Sequence, residues 1–187
     1  QASETVDNIF KEIGLKYKMH LKSEGKSEEQ IALLLTKWQL QQEEIESKKD
    51  YLLSFPAIYP VPNEHRNFSS RFGVRIDPFS NKQKFHDGDD FSAKTGTPVY
   101  ATANGRVRIS KYYSTFGNYI EIDHGSGYKT IFGHLSKRKV KVGEKVIRGQ
   151  KIGEVGNTGR STAPHLHYEI QYNKSSKDPK DFYFDIS

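Results

Sequence analysis

Apolar residues recur at helical spacing through the first 55 positions and in short β-rich segments in the remaining chain. Val6, Ile9, Phe10, Ile13, Tyr17 and Leu21 fall on one stripe, which predicts an amphipathic helix over residues 3–22. Gly25 offers a stop, and Ser27 with Gln30 three positions later reads as a capping box. The helix it opens runs to about residue 54. Ile31, Leu34, Trp38, Ile45 and Leu52 keep a near-heptad spacing along it, with Gln41 and Lys48 filling in. The two stripes would bury each other as an α-helical hairpin at the N-terminus, a packing or spacer element.

The stretch "FPAIYPVPN", residues 55–63, ends the helical pattern, because three prolines in seven positions exclude a helix and make an extended linker. Beyond it, "TPVYATA", "GRVRISKYY", "NYIEID", "YKTIFGH", "KIGEVG" and "HLHYEIQY" are short, rich in β-formers and separated by glycine turns. "DHGSGY", residues 123–128, reads as a hairpin turn. No long helical pattern appears after residue 56. The fold expected is mainly β: an antiparallel β-domain over 56–187 carrying an N-terminal helical hairpin over 1–55.

Charge separates the same two parts. Residues 1–55 hold 8 Lys/Arg against 10 Asp/Glu, a net of −2, and the remainder holds 21 against 13, a net of +8. An anionic partner for the β-domain is therefore expected. The chain has no cysteine, which excludes a disulfide framework and a thiolate metal site and suits a bacterial extracytoplasmic protein. No apolar run reaches the ~18 residues of a membrane span. The chain starts at Gln1, and neither a signal nor an anchor is visible in it.

Two motifs carry candidate chemistry. "HDGDDF", residues 86–91, places one histidine and three aspartates within five positions, interrupted by Gly88. "PHLHYEI" holds His165 and His167, which would share one face of a strand with Glu169 while Leu166, Tyr168 and Ile170 face a core. A catalytic zinc wants three protein ligands and an open position. His86, Asp90 and one of the 165/167 pair are donors of that kind. Gly88 argues against a helix, so His86 is expected on a loop or strand edge and Asp90 at the start of a strand. Asp87 and Asp89 would then point elsewhere, to solvent. Glu169 either orients a histidine or is simply solvated.

With "SSRFGVRIDPF", "FHDGDDFSAKTGTPVYATANGRV", "GNYIEIDHGSGYKTIFGHLSK" and "VKVGEKVIRGQKIGEVGNTGRSTAPHLHYEI", the chain resembles the lysostaphin-type (LytM-like) zinc endopeptidases from about residue 56 to 172. The resemblance implies a compact antiparallel β-sheet peptidase domain with a groove, one zinc ion per chain, and cleavage of the peptide part of bacterial peptidoglycan. It also implies an extracytoplasmic location. Carried over by motif, His86, Asp90 and His167 would be the zinc ligands, with His165 and His134 catalytic. Two neutral histidines can take a proton from water and return one to the leaving amine. His165 is assigned as base and His134 as oxyanion stabiliser or acid, roles that could be exchanged. A tyrosine common in the family two positions before His134 is Phe132 here, which would remove a hydroxyl from the groove. Asn63 and Asn67 lie where an upstream segment could reach the groove, as an upstream asparagine does in latent relatives. His20, His65 and His124 are expected to be structural.

Two other readings compete. A non-catalytic wall-binding scaffold that activates a separate hydrolase would suit the helices, which could also dock a partner protein or a second copy. Such members usually lose site residues, and all five are present here. A basic nucleic-acid-binding domain fits the charge, but no aromatic–basic stacking motif accompanies it and the His/Asp set would be unexplained, so no nucleic acid is expected.

Overall fold

The structure, a computed structural model, describes His20 and residues 24–184. The chain divides into two compact units, 1–49 and 50–187. The helix expected over 3–22, and with it the hairpin, lies outside the described residues apart from His20. Helix α1 (Glu28–Ser54) agrees with the sequence pattern. Its capping box is reciprocal: the Ser27 N–H donates to Gln30 Oε1 at 3.0 Å, and the Gln30 N–H donates to Ser27 Oγ at 3.3 Å. Ile31 is buried and Trp38 half-buried, whereas Ile45 and Leu52 are about half exposed. No helix among the described residues is long and apolar enough to cross a membrane.

The strand pairing of the second unit is antiparallel, with two short 3-10 helices at Asn63–His65 and Pro179–Phe182. Its strands are β1 (Phe68–Ser70), β2 (Gly73–Ile76), β3 (Gln83–His86), β4 (Asp89–Ser92), β5 (Pro98–Tyr100), β6 (Gly105–Tyr113), β7 (Gly117–Gly125), β8 (Tyr128–Leu135), β9 (Lys137–Arg138), β10 (Lys145–Val146), β11 (Lys151–Glu154), β12 (His165–Tyr172) and β13 (Ser175–Lys177). The main sheet runs β1-β4-β12-β8-β7-β6-β10, and β13 also pairs with β12. A three-stranded sheet, β5-β11-β9, and the β2–β3 hairpin complete the unit. The 123–128 turn forms as expected. Ser126 and Gly127 both take positive φ between paired Gly125 and Tyr128, as a two-residue type I′ hairpin requires.

Alternation builds the core. Phe91, Ile120, Ile122, Phe132, Leu135, Leu166, Tyr168 and Ile170 point to one side of the main sheet and are buried with Val99, Val107 and Ile152. The proline-rich 55–62 segment forms neither helix nor strand and bends at Phe55, Ile58, Pro60 and Val61, and it is a strap packed into this core rather than an extended free linker. Val61 is 2% exposed, the Tyr100 N–H donates to the Pro60 carbonyl, and Tyr59 stacks on Tyr183 at 4.2 Å. Phe55 stacks on Phe182 at 5.2 Å. Phe55, Tyr59 and Val61 give this irregular chain an apolar face, and burying it outweighs the lack of regular pairing.

Candidate metal centre

Three adjacent strands bring the candidate residues together. His167, in the middle of β12, pairs across one edge with Asp90 of β4 and across the other with Gly133 of β8, one residue before His134. Side chains opposite one another in a ladder share a face, so Asp90 and His167 project into the same cleft. His86 ends β3 and reaches them because the chain crosses close over β12 at Gly88. A side chain there would collide with the Tyr168 carbonyl, and only glycine fits. His134 holds a left-handed φ of 58°, with its N–H bonded to the Phe116 carbonyl at 2.7 Å. Such strain persists where the surroundings over-determine the backbone, and it concentrates at functional sites.

The donor atoms of His86, Asp90 and His167 lie within 4.8 Å of one another, and all three residues are buried. Asp90 Oδ1 is 2.8 Å from His167 Nδ1, 3.2 Å from His86 Nε2 and 3.7 Å from His165 Nε2. His86 Nε2 is 3.1 Å from His167 Nδ1. The outer nitrogens settle the tautomers. His86 Nδ1–H donates to the Arg71 carbonyl at 2.9 Å, and His167 Nε2–H donates to Glu169 Oε1 at 2.9 Å. His134 Nδ1–H donates to the Thr158 carbonyl, and His165 Nδ1–H to the Ala163 carbonyl, both at 2.8 Å.

Two imidazole lone pairs and a carboxylate thus converge on one point, an arrangement that demands a positive charge there. The electrostatics say the same. Burial opposes ionisation of Asp90, yet hydrogen bonds from His167 and His86 hold its carboxyl far below the usual range. Burial also opposes charge on His167, but bonds to Glu169 through Nε2 and to Asp90 through a proton at Nδ1, at the very point where the lone pair aims, carry it up to about 9. A divalent cation meets this demand with a donor set of two nitrogens and one oxygen, which fits zinc. His134 differs: burial outweighs its bond to Thr158 and, aided by the neighbouring His165 and His167, pushes it down to about 4. It is therefore neutral near pH 7. The rings of His134 and His165 lie 4.7 Å apart.

These groups lie in a cleft of about 570 Å³, walled by the β2–β3 hairpin, the turn at Thr115 and Phe116, and the 160–164 loop. Arg160 ties two walls together through Asp77 at 3.0 Å. Asp87 is exposed as expected, but Asp89 is fully buried, contrary to expectation. It shares the core-side face of β4 with Phe91 and accepts hydrogen bonds from the Phe72 N–H, Arg71 and the Tyr183 hydroxyl. Glu169 is buried and orients His167 rather than being solvated. Phe132 is also in the core, against Tyr168, so the hydroxyl missing there is not one that the groove loses. Neither Asn63 nor Asn67 lines the cleft. His124 is a buried structural residue, bonded to the Asn104 carbonyl and Thr130 Oγ1 at 2.7 Å each.

Comparison with known proteins agrees with this geometry. The chain is 46% identical over 112 residues to peptidoglycan DD-endopeptidase ShyA of Vibrio cholerae, covering 60% of this chain and 26% of that protein. It is 40% identical over 118 residues to DD-carboxypeptidase/endopeptidase Mpg of Neisseria meningitidis, covering 63% and 27%. The chain thus spans about a quarter of the length of these relatives. Among solved structures it matches a zinc-containing peptidase from Vibrio cholerae with a TM-score of 0.61 at 42% identity, over 64% of this chain and 37% of that one. It also matches the lysostaphin catalytic domain from Staphylococcus simulans with a TM-score of 0.58 at 34% identity, over 64% and 92%. Residues 84–179, which run from within β3 past β13 and carry His86, Asp90, His134, His165 and His167, match the description of peptidase family M23, and the chain belongs to that family.

Proposed function

We propose that the chain is a zinc-dependent endopeptidase acting on the peptides of bacterial peptidoglycan, outside the cytoplasm, with His86, Asp90 and His167 holding one zinc ion. The observation that carries this reading is the convergence of two lone pairs and a carboxylate beside two further imidazoles in an open cleft. Membership of family M23 and the DD-endopeptidase and metalloprotease names of the relatives support it. We assign the activity to the unit from Asp50 onward, slightly longer than the 56–187 suggested by the sequence pattern.

When bound, a zinc ion would polarise the scissile carbonyl and lower the pKa of a water to about 7. His165, its Nδ1–H held by the Ala163 carbonyl, keeps Nε2 to accept the proton of the attacking water. His134, its Nδ1–H held by Thr158, presents an unprotonated Nε2 that can take this proton in turn and deliver it to the leaving amine. The water oxygen bonds to the carbonyl carbon, the carbon–nitrogen bond breaks, and the proton leaves with the amine. The low pKa of His134 keeps it neutral until the reaction supplies that proton.

The test is digestion of purified peptidoglycan by the full chain, with zinc and with a chelator, and then mass spectrometry of new termini. Zinc-dependent appearance of new peptide amines is expected. Identical products in both arms, with metal content verified, would refute the reading and leave a scaffold.

A further inference from the structure

The β2–β3 hairpin brings more than His86 to the cleft. Lys84 and His86 share one face of β3, and Arg75 stands directly opposite Lys84 in the ladder. Two like charges facing each other across a strand pair repel, yet both line the cleft beside the candidate metal centre. Arg75 Nη2 is 3.6 Å from Asp90 Oδ2, a distance too long for a good hydrogen bond. Asp90 is already engaged at shorter range by His167 and His86. Lys84 has no ion pair among the described residues, and the exposed Asp87 pairs with neither cation. The third cation of the cleft, Arg160, is committed to Asp77. On the face that delivers His86, Lys84 is therefore without a counter-charge among the described residues and Arg75 holds only the long contact to Asp90.

We infer that Arg75, assisted by Lys84, binds a free carboxylate on the substrate residue that supplies the leaving amine. This rests on the endopeptidase reading and narrows its substrate. Arg75 abuts Asp90, so only a group within a bond or two of the scissile amide can meet it. A carboxylate on the carbon that bears the scissile nitrogen is two bonds away, about 2.5 Å. In an ordinary mid-chain residue that carboxyl is consumed by the next amide. It is free only when the amine-side residue is C-terminal, or when the bond is a cross-link made on an amine whose own carbon keeps its carboxylate. A glycine bridge offers neither. Arginine suits the role because its planar fork grips a carboxylate in two-point fashion.

The experiment uses the full zinc-loaded chain and two synthetic peptides that differ only in a free carboxylate or a carboxamide on the amine-side residue. Wild type should prefer the acid by about tenfold or more in kcat/KM, the scale of a charge-assisted hydrogen bond. Arg75→Gln should erase the preference by slowing the acid alone, with zinc content unchanged, and Arg75→Lys should restore part of it. Equal rates on both peptides in wild type would overturn the inference while leaving the endopeptidase reading intact. Equal slowing of both by Arg75→Gln, with zinc lost, would overturn it too, by making Arg75 only a support for Asp90. If neither peptide is cut, the endopeptidase reading fails, and calorimetry with the two amine-side products still decides the inference. Tighter binding of the acid by wild type, lost in Arg75→Gln, supports it, and equal affinities overturn it.

Discussion

Asp90 sits between three imidazoles, and its removal leaves two nitrogen donors with no charge to balance a cation. Asp90→Ala is expected to lose most bound zinc, measured by elemental analysis of purified protein. His134→Ala and His165→Ala remove no member of the donor set, so they should keep zinc while losing about 10²–10⁴-fold in activity. Full activity in both would reassign the proton transfers. His124 yields a different test, one of stability. Burial pushes its pKa down to about 4 from 6.5, against the favourable bond to Asn104. Between those values the unfolded chain binds the extra proton, so stability is complete above pH 6.5 and falls as pH drops toward 4. The full loss is about 3 kcal/mol. Urea unfolding at pH 7, 5.5 and 4.5 should show this slope in wild type, and His124→Gln should flatten it.

At the scale of elements, the strap over residues 55–62 matters more than its sequence suggests. A chain beginning at residue 50 keeps Phe55, Tyr59 and Val61 in place, along with the Asn104 N–H bond to the Leu53 carbonyl. A chain beginning at residue 63 loses them all. The first should unfold cooperatively at a temperature close to that of the full protein. The second should aggregate or melt far lower, because losing one buried aromatic alone costs about 3–5 kcal/mol. Periodicity reveals β6 and β12 residue for residue, since alternation and glycine turns are local signals. It also gives the face shared by His165, His167 and Glu169. It cannot reveal that Asp89 turns inward, because the partners that make a buried carboxylate tolerable, Phe72 and Tyr183, are 17 and 94 positions away. The strap escapes periodicity for a related reason. Proline content reports what the backbone cannot do, not which surface waits for its aromatic face.

For the whole molecule, charge and support are the two properties that no single element holds. The +8 excess over residues 56–187 should draw the chain to anionic wall polymers. Sedimentation with wall sacculi is expected to weaken steeply between low salt and physiological ionic strength, where screening sets in within about 8 Å. Binding that ignores salt would leave shape alone to explain it. Support for the four imidazoles is distributed unevenly. Those of His86 and His134 are steadied by the peptide carbonyls of Arg71 and Thr158, that of His165 by the Ala163 carbonyl and the Ser161 hydroxyl, and that of His167 by the carboxylate of Glu169. A peptide carbonyl is present whatever residue the codon specifies. Inherited variation can therefore break the carbonyl bonds of the first two rings only by displacing the main chain, whereas one codon change can strip that of His167. In a saturation-mutagenesis map of the chain, replacing Glu169 should therefore act on the His167 ring directly, whereas replacements at Arg71 and Thr158 should act through what their own side chains hold, the buried Asp89 and the Leu135 carbonyl.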